Sequence, residues 1–430
     1  MSRLFAALLT CFMMLFNLPA QAALTIEITK GLTDVPLRPI AVMNFAGEAA
    51  AENLGQIIRN NLSRSGMFNM IDSDRLPAGI ALTGPVNDEA LNEMLADYLV
   101  RGETRREGDN VVFSYEVLKK SDGSKVLSNQ FRAHHSRWRD AAHFISDAIY
   151  EHITGYKGIF STRIAYVNAY RRDGVMRYRL ELADIDGARR TVLLDSSEPI
   201  VSPSWSPDAR RLAYISFESM QPQIVIHDLQ TGKRQTITSF NGSNSAPAWS
   251  PDGRRLAMSL SKDGNPEIYV MDVATRALTR VTNHPAIDTE PRWSPDGQNL
   301  LFTSDRSGRA QIYQLNLSES QPRRISFGGV FNARADISQN QQFLALVHSS
   351  GDGRYRIGIM NMENRLFSTL TDNAMDDTPS FAPDSRLVVY STKQGGGVGL
   401  RIESLDGRAS WRIPAITGDL KSPAWSPLIR

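Results

Sequence analysis

Trp205-Ser206-Pro207-Asp208 returns as Trp249-Ser250-Pro251-Asp252 and again as Trp293-Ser294-Pro295-Asp296, at an interval of 44 residues. The same step lands on Ile337-Ser338-Gln339-Asn340, Phe381-Ala382-Pro383-Asp384 and Trp425-Ser426-Pro427. Five consecutive intervals in one register mark a repeat architecture, which outranks any local signal.

Each period has one grammar. A large apolar residue leads into a turn in which Pro presets φ and Asp or Gly suits the bend. An apolar strand follows, as in Leu212 to Ser216, Leu256 to Leu260 and Leu300 to Ser304. Such runs fit strands buried on both faces between neighbouring sheets. A third strand alternates more, and a fourth is shorter and wetter, as an outer edge should be. Four short antiparallel strands per repeat predict an all-β propeller. A solenoid would repeat equally well, but Arg163 to Asn168 matches a second strand with no first strand before it, and the missing strand lies at Ser422 to Ser426. The count is six blades, with the C-terminal strand closing the first blade.

Ala23 to Gly158 lacks the period. Strands are expected at Thr25 to Thr29, Pro39 to Phe45, Tyr98 to Arg105, Asn110 to Lys119 and Lys125 to His134, with helices at Ala50 to Ser65, Asp88 to Ala96 and Trp138 to Thr154. This is an α/β domain, a sheet covered by helices. Residues 1–22 read as a cleaved secretory signal: Arg3, an apolar core from Leu4 to Leu18, Pro19, then Ala20-Gln21-Ala22. That core falls short of the roughly 20 apolar residues that span a bilayer. The expected organisation is therefore signal 1–22, α/β domain 23–158 and propeller 159–430. Cys11 is the single cysteine and lies within the signal, so the exported chain must be stable without disulfides.

The net charge of +2 is too balanced to point to nucleic acid. No Gly-x-Ser-x-Gly elbow, His-Glu-x-x-His, phosphate loop, EF-hand or Gly-x-Gly-x-x-Gly occurs. His134 and His135, adjacent in a strand, should face opposite ways and not share a metal; His143 and His152 fit packing or solvent roles. No cofactor or metal is expected, and no catalysis.

The segments leading into each first strand should ring one end of the channel: Val201-Ser202-Pro203, Ser245-Ala246-Pro247, Thr289-Glu290-Pro291, Arg334-Ala335, Asp377-Thr378-Pro379 and Lys421-Ser422-Pro423. Proline stiffens most of them, lowering the entropic cost of presenting a binding surface. Asp288, Glu290, Asp376 and Asp377 should make this mouth acidic, with Arg334 and Lys421 opposing. Any one of these is an ordinary solvated turn residue; as a ring they are the candidate docking site. A calcium-dependent lactonase or hydrolase propeller would gather several carboxylates on one cation, whereas this mixed set suits a protein-binding adaptor.

Pro39-Ile40-Ala41-Val42, Ser65-Gly66-Met67-Phe68, the joint Thr154-Gly155-Tyr156-Lys157-Gly158, the run Thr162 to Val167 and the terminal Lys421 to Pro427 resemble the TolB family, periplasmic components of the Tol-Pal system of Gram-negative bacteria. The resemblance covers the whole chain. It implies that the mouth binds the lipoprotein Pal, through Ser245, Ala246, Pro247, Asp288, Thr289, Glu290 and Pro291. With the ring positions Ser202, Arg334, Thr378 and Ser422 these form the expected Pal surface. It implies too that Ala23, Leu24, Thr25, Ile26, Glu27, Ile28 and Thr29 engage the inner-membrane protein TolA, and that the chain works as a periplasmic monomer supporting outer-membrane integrity and invagination in cell division.

Overall fold

The computed structural model describes residues 36–47 and 50–429. The signal, the expected first strand and the segment Ala23 to Thr29 lie outside the described residues.

The α/β domain runs β1 (Arg38–Val42), α1 (Ala50–Arg64), β2 (Phe68–Ile71), α2 (Asp88–Glu93), β3 (Tyr98–Glu107), β4 (Asn110–Lys119), β5 (Lys125–His134) and α3 (Trp138–Thr154). Its sheet has the order β2-β1-β3-β4-β5. β1 is parallel to both neighbours, and β3, β4 and β5 are antiparallel. Alternation in β1 decides the layering: Ile40 and Val42 join Leu54, Ile58 and Leu62 of α1 and Ile145 and Ile149 of α3. Ala41, facing the other way, joins Leu91, Met94, Leu99 and Leu118.

Three local expectations are corrected. β2 was not anticipated, being a four-residue strand with little alternation to read. α2 stops at Glu93 rather than Ala96, because Met94 turns extended and drops with Ala96 into the small core. His134 and His135 do not diverge: β5 ends at His134, a helical turn begins, and the two rings sit 4.3 Å apart.

The rest is six four-stranded antiparallel sheets. Blade 1 holds β6 (Arg163–Arg172), β7 (Val175–Asp184) and β8 (Thr191–Ser196), and takes its innermost strand from Asp419–Trp425. That strand pairs Leu420 with Asn168 and Trp425 with Ile164. Ser426 N–H donates to the Arg163 carbonyl (2.8 Å) and Trp425 Nε1 to Thr162 Oγ1 (2.8 Å). The innermost strands of blades 2 to 6 are Ile200–Trp205, Asn244–Trp249, Asp288–Trp293, Phe331–Ile337 and Asp376–Phe381.

The repeat motif explains itself in atoms. Ser206 Oγ accepts from the Arg211 N–H (2.9 Å) and donates to Asp208, whose carboxylate accepts the Arg210 N–H (3.1 Å), so the turn is tied inside itself. The tryptophan reaches outward. Trp205 donates to the Ala424 carbonyl and Trp293 to the Ala248 carbonyl, one blade back. Arg211 lies over Trp249 and Arg255 over Trp293, each guanidinium 4.5 Å from the ring centre. Apolar clusters join each pair of neighbouring blades. The cluster joining blades 6 and 1 runs without a break into the core of the α/β domain.

That continuity fixes where the domain sits. Tyr150 of α3 donates to Asp384 in the blade 6 turn (3.3 Å), and Arg386 lies over Tyr156. Arg139 and Arg189 close on buried Asp184 at the end of β7 (2.9 and 2.8 Å), and His143 Nε2 approaches it at 3.4 Å. Burial would raise the Asp184 carboxyl, but His143, Arg189 and Arg139 overcome it and hold its pKa well below the ordinary value. The joint is fixed as well, since Asp147 of α3 accepts the N–H groups of Phe160 and Ser161. All these contacts lie at the end of the propeller that carries the tryptophan turns.

A candidate docking mouth at the free end of the propeller

At the opposite end, where the innermost strands begin, no contact with the α/β domain occurs among the described residues. Every innermost strand starts in the same way and then breaks register. Pairing shifts between Ser245 and Ala248, Thr289 and Arg292, Ala333 and Asp336, Asp377 and Ser380, and Lys421 and Ala424, with a matching irregularity opposite Ser202. Each break centres on one residue with left-handed backbone: Ser202, Ala246, Glu290, Arg334, Thr378 and Ser422, with φ between 50° and 56°. Non-glycine residues seldom adopt this region, and strain of this kind gathers at functional sites. The six are the ring positions marked out in the sequence, one per blade.

Around the ring the chemistry is uneven. On blades 4 to 6, Arg334 Nε donates to Glu290 (3.0 Å), while Nη1 donates to Asp377 and to Thr378. Burial pulls the Arg334 guanidinium down, but Asp377 and Glu290 more than offset it, leaving its pKa above the usual arginine value. One layer deeper Arg292 pairs with Asp336 at 3.1 Å, and Asp336 also accepts the Phe381 N–H. Across the channel Ser202, Ala246 and Ser422 are small and uncharged.

The expected acidity is smaller than the sequence suggests. Asp288 is 0% exposed and held by Arg306, and Asp376 is 1% exposed. Both build the strand start and add little charge to the exposed rim. Pro247 and Pro291 are buried too, backing the ring. Ser202, Ser245, Ala246, Thr289, Glu290, Thr378 and Ser422 are half-buried at the mouth, and Arg334 is exposed.

Sequence reasoning missed the apolar rim. Ile287, Phe327, Met375 and Ile416 stand on loops leading into innermost strands, Met220 and Tyr355 on loops between second and third strands, and Val175 at the start of β7, all at this end. Phe327 is 72% exposed and Ile416 and Met220 78%. The signal was available: a large apolar residue in a polar turn, out of phase with the strands. Single exposed apolar residues are ordinary, but a set rimming one opening marks a protein-binding face.

At the other end the channel widens to about 670 Å³ between tryptophan turns, beside Lys157 of the joint. Among the described residues no cluster of three or more His, Cys, Asp or Glu side chains is placed to hold an ion, and no helix is long and apolar enough to cross a membrane.

Comparison with known proteins agrees with both halves of this architecture. Residues 24–122 match the family described as the TolB amino-terminal domain, and residues 150–429 the TolB beta propeller domain. The Tol-Pal system protein TolB of Legionella pneumophila (strain Corby) is 46% identical over 428 residues, 99% of this chain and 100% of that one. Its counterpart in Xanthomonas oryzae pv. oryzae (strain MAFF 311018) is 44% identical over 432 residues, 99% of this chain and 98% of the other. The crystal structure of TolB from Acinetobacter baumannii superposes with a TM-score of 0.86 at 38% identity, covering 91% of this chain and 97% of that one. On the shared two-domain fold and this full-length similarity, the chain belongs to the TolB family of Tol-Pal system proteins.

Proposed function

We propose that the chain is a periplasmic, non-catalytic adaptor whose free propeller end docks the lipoprotein Pal, and whose segment Ala23 to Thr29 engages TolA. Pal held at the mouth is kept from peptidoglycan, and capture of the N-terminal segment by TolA releases it, which supports outer-membrane integrity and invagination during division. The observation that carries the docking reading is the exposed apolar rim around a channel mouth with six left-handed, strained residues. The TolA part rests on the resemblance and on the alternation of Leu24, Ile26 and Ile28, which suits pairing as a strand. The secretory signal at residues 1–22 supports the compartment.

Titrating the chain from Ala23 onward with the soluble domain of Pal tests the reading. Phe327→Asp should weaken binding at least about tenfold, as loss of an apolar anchor does, with an unchanged melting temperature. Equal affinity of Phe327→Asp and the parent chain would remove the rim from the interface. Deleting Ala23 to Asp34 should abolish TolA binding and spare Pal binding.

A further inference from the structure

Between blades 5 and 6 the mouth opens into a cavity of about 530 Å³ walled by Phe331, Val347, Tyr355 and Met375, with Arg334 and Lys393 at its edge. We infer that this cavity anchors an apolar side chain of the docked protein next to one of that protein's carboxylates, and that Arg334 and Lys393 receive the carboxylate. The inference rests on the reading of the mouth as a protein-docking face.

The apolar half of the site is already formed. The Phe331 and Tyr355 rings pack edge to face at 5.3 Å, while Tyr355 and Met375 remain 40% and 54% exposed at the lip. The space exceeds one side chain and suits the tip of a loop.

The charge of the occupant follows from which hydrogen-bonding groups are still unmet. Glu290 already accepts from Thr303 Oγ1 and from both the backbone and the side chain of Arg334. Asp377 accepts from the Thr378 N–H and from Arg334 Nη1. Arg334 Nη2 makes no hydrogen bond among the described residues, and neither does the Lys393 ammonium. Asp376 in the buried wall also lacks a hydrogen-bond partner for its carboxyl oxygens, and burial pushes its pKa up, but it is 1% exposed. The unmet groups exposed at the cavity edge are the donors Arg334 and Lys393. Covering Arg334 with an apolar surface would strip water from a charged donor and give nothing back, so a tight partner must bring an acceptor there. Glu290 and Asp377 also fix the guanidinium across three blades, which leaves one edge aimed outward at little cost in side-chain freedom.

Ser422 lines the cavity from the side of blade 1, whereas Ser202 and Ala246 across the channel bring neither a charge nor a large apolar group, so the contact is lopsided. Titrations with soluble Pal should find Tyr355→Ala and Arg334→Ala each weaker by about tenfold or more. Arg334→Ala should also flatten the salt dependence of the affinity, which a purely structural role would not do, and Arg334→Lys should restore part of both. Met220→Glu on blade 2 separates the alternatives. If it weakens binding while Tyr355→Ala and Arg334→Ala stay within about twofold, the anchor is overturned and the docking face stands. If all three stay within that range, both fail. Should Arg334→Ala not fold, Lys393→Glu at its exposed position carries the same test, with unchanged affinity overturning the inference.

Discussion

The two ends of the propeller are built from one repeat and treat it in opposite ways. At the tryptophan-turn end the side chains are mostly tied within the fold: Ser206 and Asp208 tie their own turn, Trp205 and Trp293 grip the preceding blade, and Asp384 and Asp184 bind Tyr150 and Arg139 of the α/β domain. At the free end the backbone geometry repeats six times while the side chains do not, running from Ser202 and Ala246 to Glu290, Arg334 and Thr378. Regularity at one end holds the ring together, so that variation at the other can be spent on recognition.

Four substitutions would break or sharpen that contrast. Trp425→Ala strikes the closure, where a 5% exposed indole bonds Thr162, and should cost about 3–5 kcal/mol. Urea unfolding checks it, and a loss under about 1 kcal/mol would mean the ring does not depend on that strand.

Next is Asp184→Asn at the domain interface, expected to cost about 2–3 kcal/mol because it removes the buried carboxylate that Arg139 and Arg189 share, leaving Arg139 only Asp186 and Arg189 only Asp140. Hydrogen exchange should then quicken in α3 and not in blades 3 and 4. Asp184 has a depressed folded pKa, so its contribution is complete above the ordinary carboxylate range and disappears as pH falls below it.

Asp147 and Asp384 act in the reverse direction. Burial raises each to about 6, so the folded chain holds these protons more tightly than the unfolded one. Stability should fall as pH rises from about 4 to about 6 and level off above that. Asp147→Asn should flatten this stretch of the curve in denaturation at stepped pH; an unaltered slope would clear Asp147 of the effect.

The smallest change in stability belongs to the mouth. Thr289→Arg should leave unfolding within about 0.5 kcal/mol of the parent while weakening soluble Pal. A large stability loss there would erase the distinction between the two ends.

Much of this was legible because the repeat carries geometry as well as pattern. Residues 290, 334 and 378 share a register, so Glu290, Arg334 and Thr378 could be placed on one ring without coordinates. The bridge from Arg334 to Asp377 could not, since it depends on blade spacing and rotamer. Closure was readable from a second strand lacking its first. The interface cluster was not: Asn61, His143, Asp184 and Arg139 come from segments with no shared period, and nothing in a helix containing His143 foretells a carboxylate from β7 at 3.4 Å. The strained residues left a faint trace, as five of the six precede proline, but proline alone suggests rigidity, not left-handed backbone. β2 and the early end of α2 were lost because four residues in one case, and a single extended Met94 in the other, fall below what periodicity resolves.

Because Asp419–Trp425 supplies the innermost strand of the blade that begins at Arg163, the ring cannot be completed while those residues are still inside a ribosome. The α/β core shares its cluster with blades 1 and 6, so it too lacks part of its packing until that moment. A polypeptide arranged in this way commits to its final shape only once its last strand is free to pair.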